Sequence, residues 1–224
     1  MTATTRAGAG ARKPRASYHH GDLAAALVRE GLAAVEAAGA PAGIEALTLR
    51  GLARRARVSA AAVYRHFADK EALLAAIAAQ GFARLNARFA AALAGGRRRG
   101  PLARLRALGM AYIDFALAHP GLYHLMFGAG RPAMGKYAAL EKEAGRAWQY
   151  LGDAVAAAGA PDASRRTRDA ATVAAWSLVH GYAVLRLEGQ FAGFAPSELP
   201  DAEAVLRNLA PGTGAAAARD DKDS

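Results

Sequence analysis

The residues of this chain best suited to chemistry are concentrated in one stretch, Thr48 to Phe67, reading TLRGLARRARVSAAAVYRHF. Guanidinium, imidazole, phenol and hydroxyl groups are crowded here: Thr48, Arg50, Arg54, Arg55, Arg57, Ser59, Tyr64, Arg65 and His66. Groups of this kind hold phosphates, and an arginine can also pair bidentately with a guanine edge. Catalytic and metal chemistry find less material. The chain has no cysteine, so it can build neither a disulfide nor a thiolate metal site. There are no paired carboxylates, no metal-spaced His/Glu cluster, no P-loop and no nucleophile with an evident base. Ser177 and His180, three apart, come nearest to a dyad and read more simply as a satisfied core pair. No catalytic residue, metal or cofactor is expected.

The positioning elements follow from spacing. Thr48 is a good N-cap, because its hydroxyl can accept from an orphan N–H of a first helical turn. Leu49, Leu52, Ala53 and Ala56 recur at helical spacing and give one apolar face, with the arginines largely off it. Val58 reads as an apolar plug in a turn, and Ser59 as the cap of a second helix. Val63 and Phe67, four apart, share an inward face. Ala61, Ala62, Tyr64, Arg65 and His66 then point elsewhere. Two helices joined by a tight turn, with basic groups outward on the second, fit a helix-turn-helix. A short capped pair with a solvated charged face would read the same way from spacing alone.

Wording adds to spacing. Thr48-Leu49-Arg50, Leu52-Ala53, Ala56, Val58-Ser59, Val63-Tyr64, His66-Phe67 and Lys70-Glu71-Ala72-Leu73-Leu74 together resemble the DNA-binding signature of the TetR family of transcriptional regulators. The resemblance implies that Tyr64, His66 and Lys70 contact phosphates. Arg50, Ser59, Ala61, Ala62 and Arg65 are then the candidates near base edges, with Thr48 and Arg57 beside them. Two positions depart from the family pattern. Arg57 stands where the family usually has glycine; either it takes a left-handed conformation, at about 1–2 kcal/mol, or the turn has another shape and Arg57 reaches a phosphate. The second helix also opens Ala-Ala-Ala, poor in hydrogen-bonding groups, so readout would lean on Arg65, Arg50, the basic N-terminal arm and DNA shape.

The whole chain has 224 residues, enough to bury a real core. Lys and Arg total 29 against 19 acids, a formal charge of +10 that favours partners carrying phosphate. No apolar run approaches the roughly 20 residues a membrane span needs, and no signal peptide opens the chain; the expected compartment is the cytoplasm, with no membrane partner. Residues 1–17 hold four basic groups without an apolar period and read as a disordered arm, either a solubilising tail or an arm reaching DNA. Tyr18 to Ala38 reads as a long helix with Leu23, Leu27, Ala34 and Val35 on one face. Adjacent His19 and His20 read as solvent-facing, and the segment after Gly39 runs without assigned structure to Thr48. Asp69 can cap a long helix whose stripe is Leu74, Ile77, Ala78, Gly81 and Leu85. The expected units are a DNA-binding domain over 18–85, with its helix-turn-helix at 48–67, and a C-terminal domain over 100–210, separated by the Gly/Arg/Pro break at 95–101. The chain from 211 to 224 reads as a disordered tail.

In the C-terminal part, Leu102 to His119 reads as a helix ended by Pro120. The aromatic, methionine-rich HPGLYHLMFG follows, and then helices at Lys136–Ala158, Arg165–Gln190 and Ser197–Leu209. HPGLYHLMFG and Trp176-Ser177-Leu178-Val179-His180-Gly181 resemble the C-terminal domain of a TetR subgroup in which tryptophan, histidine and glycine recur together. The resemblance, spanning roughly residues 20–209, implies an all-α fold and a homodimer in which the last two helices of each subunit form a four-helix interface. It also implies a near-palindromic double-stranded operator and a core cavity for a small, largely apolar effector. Candidates for that cavity are Tyr112, Phe115, Tyr123, Met126, Phe127, Trp148, Trp176 and His180, although aromatic and Met residues at helical spacing also serve as plain core. The expected mechanism is occlusion of a promoter, relieved when the effector changes the tilt or spacing of the two DNA-binding heads. A non-specific DNA-coating protein, permitted by the charge and the bare alanine helix, and an all-helical enzyme are the rivals. A steep salt slope with little sequence preference would mark the former.

Overall fold

The computed structural model describes residues 20–38, 42–95, 100–195 and 198–209; ten α-helices and no strand occur among them. They are α1 (His20–Ala38), α2 (Ala42–Ala46), α3 (Leu49–Arg55), α4 (Ala60–Tyr64), α5 (Lys70–Ala94), α6 (Pro101–Ala118), α7 (Pro120–Phe127), α8 (Ala138–Ala158), α9 (Arg165–Leu187) and α10 (Ala202–Leu206). The all-α expectation holds. The basic arm, Tyr18, His19, Gly39, the arginine run at 97–99 and the tail from 211 lie outside the described residues, as does the side chain of His20.

Several element bounds differ from those read in the sequence. The passage before Thr48 contains α2, too short for an apolar period to reveal. Pro101 joins α6 at its first position, where a missing N–H costs nothing. Pro120 both follows the end of α6 and starts α7, and His119 caps both helices. α8 begins at Ala138, with Tyr137 as its cap residue. α9 stops at Leu187, short of Gln190, where Gly189 turns left-handed at φ 68°. α10 is confined to Ala202–Leu206, because Asp201 caps it through Ala204 N.

α1 to α4 form the N-terminal bundle around Leu27, Leu52, Val63 and Leu73, all at most 1% exposed. The second part is built on α5, α6, α8 and α9, with Leu85, Leu105, Leu108 and Phe115 buried between them. α5 belongs to both. Its expected stripe is buried throughout, and its second half packs on α6 and α8. Two glycines set close approaches to α7. A Cβ at Gly81 would meet Met126 Sδ, and one at Gly121 would collide with the Val35 carbonyl. α7 is thereby wedged between α5 and α1. A polar clasp reinforces that junction: Glu36 Oε1 of α1 accepts from His119 Nδ1 at 2.8 Å and from Arg84 at 3.3 Å.

Candidate nucleic-acid interface and core cavity

The N-terminal bundle presents α3 and α4 at its surface through three matching caps. Thr48 Oγ1 accepts from Gly51 N at 3.0 Å, Ser59 Oγ from Ala62 N at 3.1 Å, and Asp69 Oδ1 from Ala72 N at 2.7 Å. Each satisfies a first-turn N–H that the helix leaves unpaired. Between α3 and α4 the chain makes a Schellman turn. Val58 N donates to Ala53 O at 3.0 Å and Arg57 N to Arg54 O at 3.2 Å, with Arg57 itself at φ 56°. The left-handed alternative for Arg57 is therefore the one adopted. The arginine carries a strain glycine would not, and its side chain is exposed.

Thr48, Arg50, Arg57, Ser59, Ala61, Tyr64 and Arg65 all face solvent on this surface. His66 and Lys70 are half-buried at its edge. Ala62 is a correction. It is 8% exposed and turned into the bundle beside Val63, so its methyl is not available to a thymine. Lys70 has a protein partner that the sequence did not reveal: its Nζ donates to Glu45 O at the end of α2, at 3.0 Å. That carbonyl supplies negative character where a cation opposes the helix dipole. Two further donor positions on the ammonium stay open to an anion. Next to it, Glu71 accepts from Lys136 Nζ at 2.6 Å and Ala133 N at 3.3 Å. Those bonds hold its carboxyl below the usual carboxylate range, the lysine chiefly.

The C-terminal part encloses a cavity of about 550 Å³. Of the expected residues, Tyr112, Met126, Phe127, Trp148, Trp176 and His180 line it. Phe115 and Tyr123 do not, and both are corrections. Phe115, three residues after Tyr112, is fully buried on another side of α6, with the His119 ring at 5.2 Å and the Arg88 guanidinium at 5.8 Å. Tyr123 stands behind the wall, its hydroxyl on His180 Nδ1 at 2.7 Å. Sequence reasoning missed Phe82, Leu85 and Phe89, which α5 contributes, together with Arg131, Met134 and Glu141 at the rim. Of the α5 residues only Leu85 was visible, as part of a buried stripe, because helical spacing does not distinguish a core wall from a cavity wall.

Polar groups converge at one point of this apolar enclosure. Tyr112 Oη lies 2.8 Å from His180 Nδ1, 3.2 Å from Tyr123 Oη and 3.4 Å from Trp176 Nε1. Burial pushes the Tyr112 phenol up to about 12 and the Tyr123 phenol higher still, and it lowers the His180 imidazole below its ordinary value. All three groups are therefore neutral near pH 7. Trp176 and His180, four apart on α9, touch at 5.4 Å between ring centres, and Trp148 stands edge-on to Trp176 at 6.1 Å. His180 bonds the tyrosines and Ser177 is exposed, so no Ser-His dyad forms. Among the described residues no cluster of three or more His, Cys, Asp or Glu is placed for a metal, and no helix is long and apolar enough to cross a membrane.

Residues 33–77 match the family model described as bacterial regulatory proteins, tetR family, and residues 105–209 match the tetracyclin repressor-like C-terminal domain. Among solved structures, a protein of unknown function from Rhodococcus sp. RHA1 is similar at 32% identity and a TM-score of 0.68, over 86% of this chain and 94% of its own. SCO4313, a protein assigned by name alone to regulation, matches at 25% identity and a TM-score of 0.66, over 88% and 98%. A tetR-family regulatory protein from Rhodococcus RHA1 shares the fold, with 21% identity, a TM-score of 0.55 and coverage of 83% and 93%. No curated protein matches the chain.

Proposed function

The chain belongs to the TetR family, whose members are non-enzymatic DNA-binding transcriptional regulators and typically dimerise, and from that premise we propose that it is a repressor released from its operator by a small, largely apolar effector. The observation that carries this reading is the double role of α5. Leu73, Leu74 and Ile77 pack it into the DNA-binding bundle, while Phe82, Leu85 and Phe89 form part of the cavity wall. One rigid element is therefore shared by the surface that would hold DNA and the space that would hold the effector. Coupling of this kind is typically worth about 1–3 kcal/mol.

In this reading Tyr64, His66 and Lys70 meet phosphates, and Arg65 reads a base edge from α4 with Arg50 beside it. The homodimer forms through α8 and α9, the last two long helices, because the final helix, α10, has only five residues and is too short to serve as half of a four-helix interface. Gly145, Gly152 and Gly181 there leave open space where a side chain would stand, and Val173 and Leu185 are 50% and 42% exposed. Such a surface lets backbones approach closely and gains by being covered. A two-fold pair would require a near-palindromic operator.

The test is binding of the purified protein to the DNA flanking its own gene, beside an unrelated duplex, at several salt concentrations. A preference of about a thousandfold or more, with a protected near-palindrome, is the expected outcome. Equal affinity for both duplexes, with a steep salt slope, would favour a coating role instead.

A further inference from the structure

The cavity's polar centre holds a constraint that fixes what it would bind. Tyr123 is buried, so its hydroxyl proton needs an acceptor within the cluster. Only His180 Nδ1 and Tyr112 Oη are within reach. Suppose Nδ1 carried the imidazole proton. The two phenols could then donate only to each other's oxygen, and both cannot do so at once, so one hydroxyl proton would point at nothing. With Nδ1 bare, each proton inside the cluster has a place: one phenol donates to Nδ1, the other donates to that phenol's oxygen, and Trp176 Nε1 donates to Tyr112 Oη. The neutral ring must then carry its proton on Nε2. That N–H meets no hydrogen-bonding partner among the described residues, and His180 lines the cavity. The remaining deep lining is hydrocarbon and aromatic ring, including Leu105, Leu108 and Val179. The charged groups, Arg131 and Glu141, are exposed at the rim.

We propose that the effector is an uncharged, predominantly apolar molecule with a hydrogen-bond acceptor, a carbonyl of the ketone, ester or lactone kind, seated on His180 Nε2–H. A carboxylate at that point would be buried without a cation, and an ammonium without an anion or acceptor; either costs far more than a neutral carbonyl. The tyrosines act as positioning residues, because they fix which ring nitrogen carries the proton. The proposal rests on the reading of the cavity as the effector site.

The test uses the full chain and three compounds of one shape: 4-phenylcyclohexanone, phenylcyclohexane and 4-phenylcyclohexanecarboxylate. Both tryptophans of the chain line the cavity, so intrinsic emission reports its occupancy directly. Two variants separate the ring's two roles. His180→Asn keeps an acceptor near Nδ1 for the phenols and removes the donor at Nε2; His180→Gln extends an N–H donor to the Nε2 position. Ketone affinity should fall about tenfold in His180→Asn and hold within about threefold in His180→Gln, while the hydrocarbon changes by less than about twofold in both. The acid should bind at least about tenfold more weakly than the ketone. Equal losses for ketone and hydrocarbon would reduce His180 to a shape element and overturn the proposal, as would an acid that binds more tightly than the ketone. If none of the three compounds shifts the emission, the cavity reading itself fails along with it.

Discussion

The DNA-binding bundle and the cavity-bearing core use polar residues in opposite ways. In the DNA-binding surface, the capping groups of Thr48, Ser59 and Asp69 act over three positions, and the arginines Arg50, Arg54, Arg55, Arg57 and Arg65 stand in water. In the core, Tyr112 and Tyr123 reach His180 across 68 and 57 positions, and their bonds are enclosed by aromatic rings. The first arrangement tolerates substitution at its surface without unfolding. The second joins distant helices, so a change there acts on the whole core. Substitutions on that surface can therefore leave the shape of the core intact.

The largest expected effect breaks the core alone. Phe115→Ala should cost about 3–5 kcal/mol of stability in chemical denaturation, since the ring is fully buried and leaves a void. A cost under about 1 kcal/mol would show that the core can close over the gap. Next, Arg65→Ala should relax base preference by about 1–3 kcal/mol at one operator position. Lys70→Ala should weaken all duplexes alike and lower the salt slope by about one. Equal loss of specificity in both would refute that division. Arg57→Gly should raise stability by about 1 kcal/mol, because glycine meets the left-handed turn without strain. A fall in DNA affinity in the same variant would place the guanidinium on a phosphate.

The smallest effect is a pH dependence confined to the core. Burial lowers the folded pKa of His180 below the ordinary 6.5. The unfolded chain therefore binds more protons as pH falls through 6.5, and stability drops until the folded value is passed. That component should vanish in His180→Asn, measured by thermal unfolding between pH 7.5 and about 5. A variant with the same slope would assign the dependence to other groups.

This contrast also explains what the sequence disclosed. The caps, the inward pair Val63 and Phe67, and the stripe on α5 all obey spacings of three and four, which a linear reading detects. Ala62 was misplaced because alanine carries no polarity to say which way a five-residue helix turns it. Phe115 and Tyr123 were misplaced because their distance from the cavity is set by how α6, α7 and α9 pack, a matter of tertiary approach. The bond from Lys70 to Glu45 O and those from Lys136 and Ala133 to Glu71 join segments 25 to 65 positions apart, with no local signal.

The length of α5 has a mechanical consequence. From Phe89 to Lys70 is about 28 Å of helix at about 1.5 Å per residue. A tilt of only about 4° about the cavity end would sweep the Lys70 end sideways by about 2 Å, and a two-fold pair would double the change in span. Hydrogen bonds to phosphate are lost over less than that distance. In the proposed mechanism a guest molecule would need only to lean on one wall of its chamber, as on the short arm of a crowbar, for the far end to slip its hold.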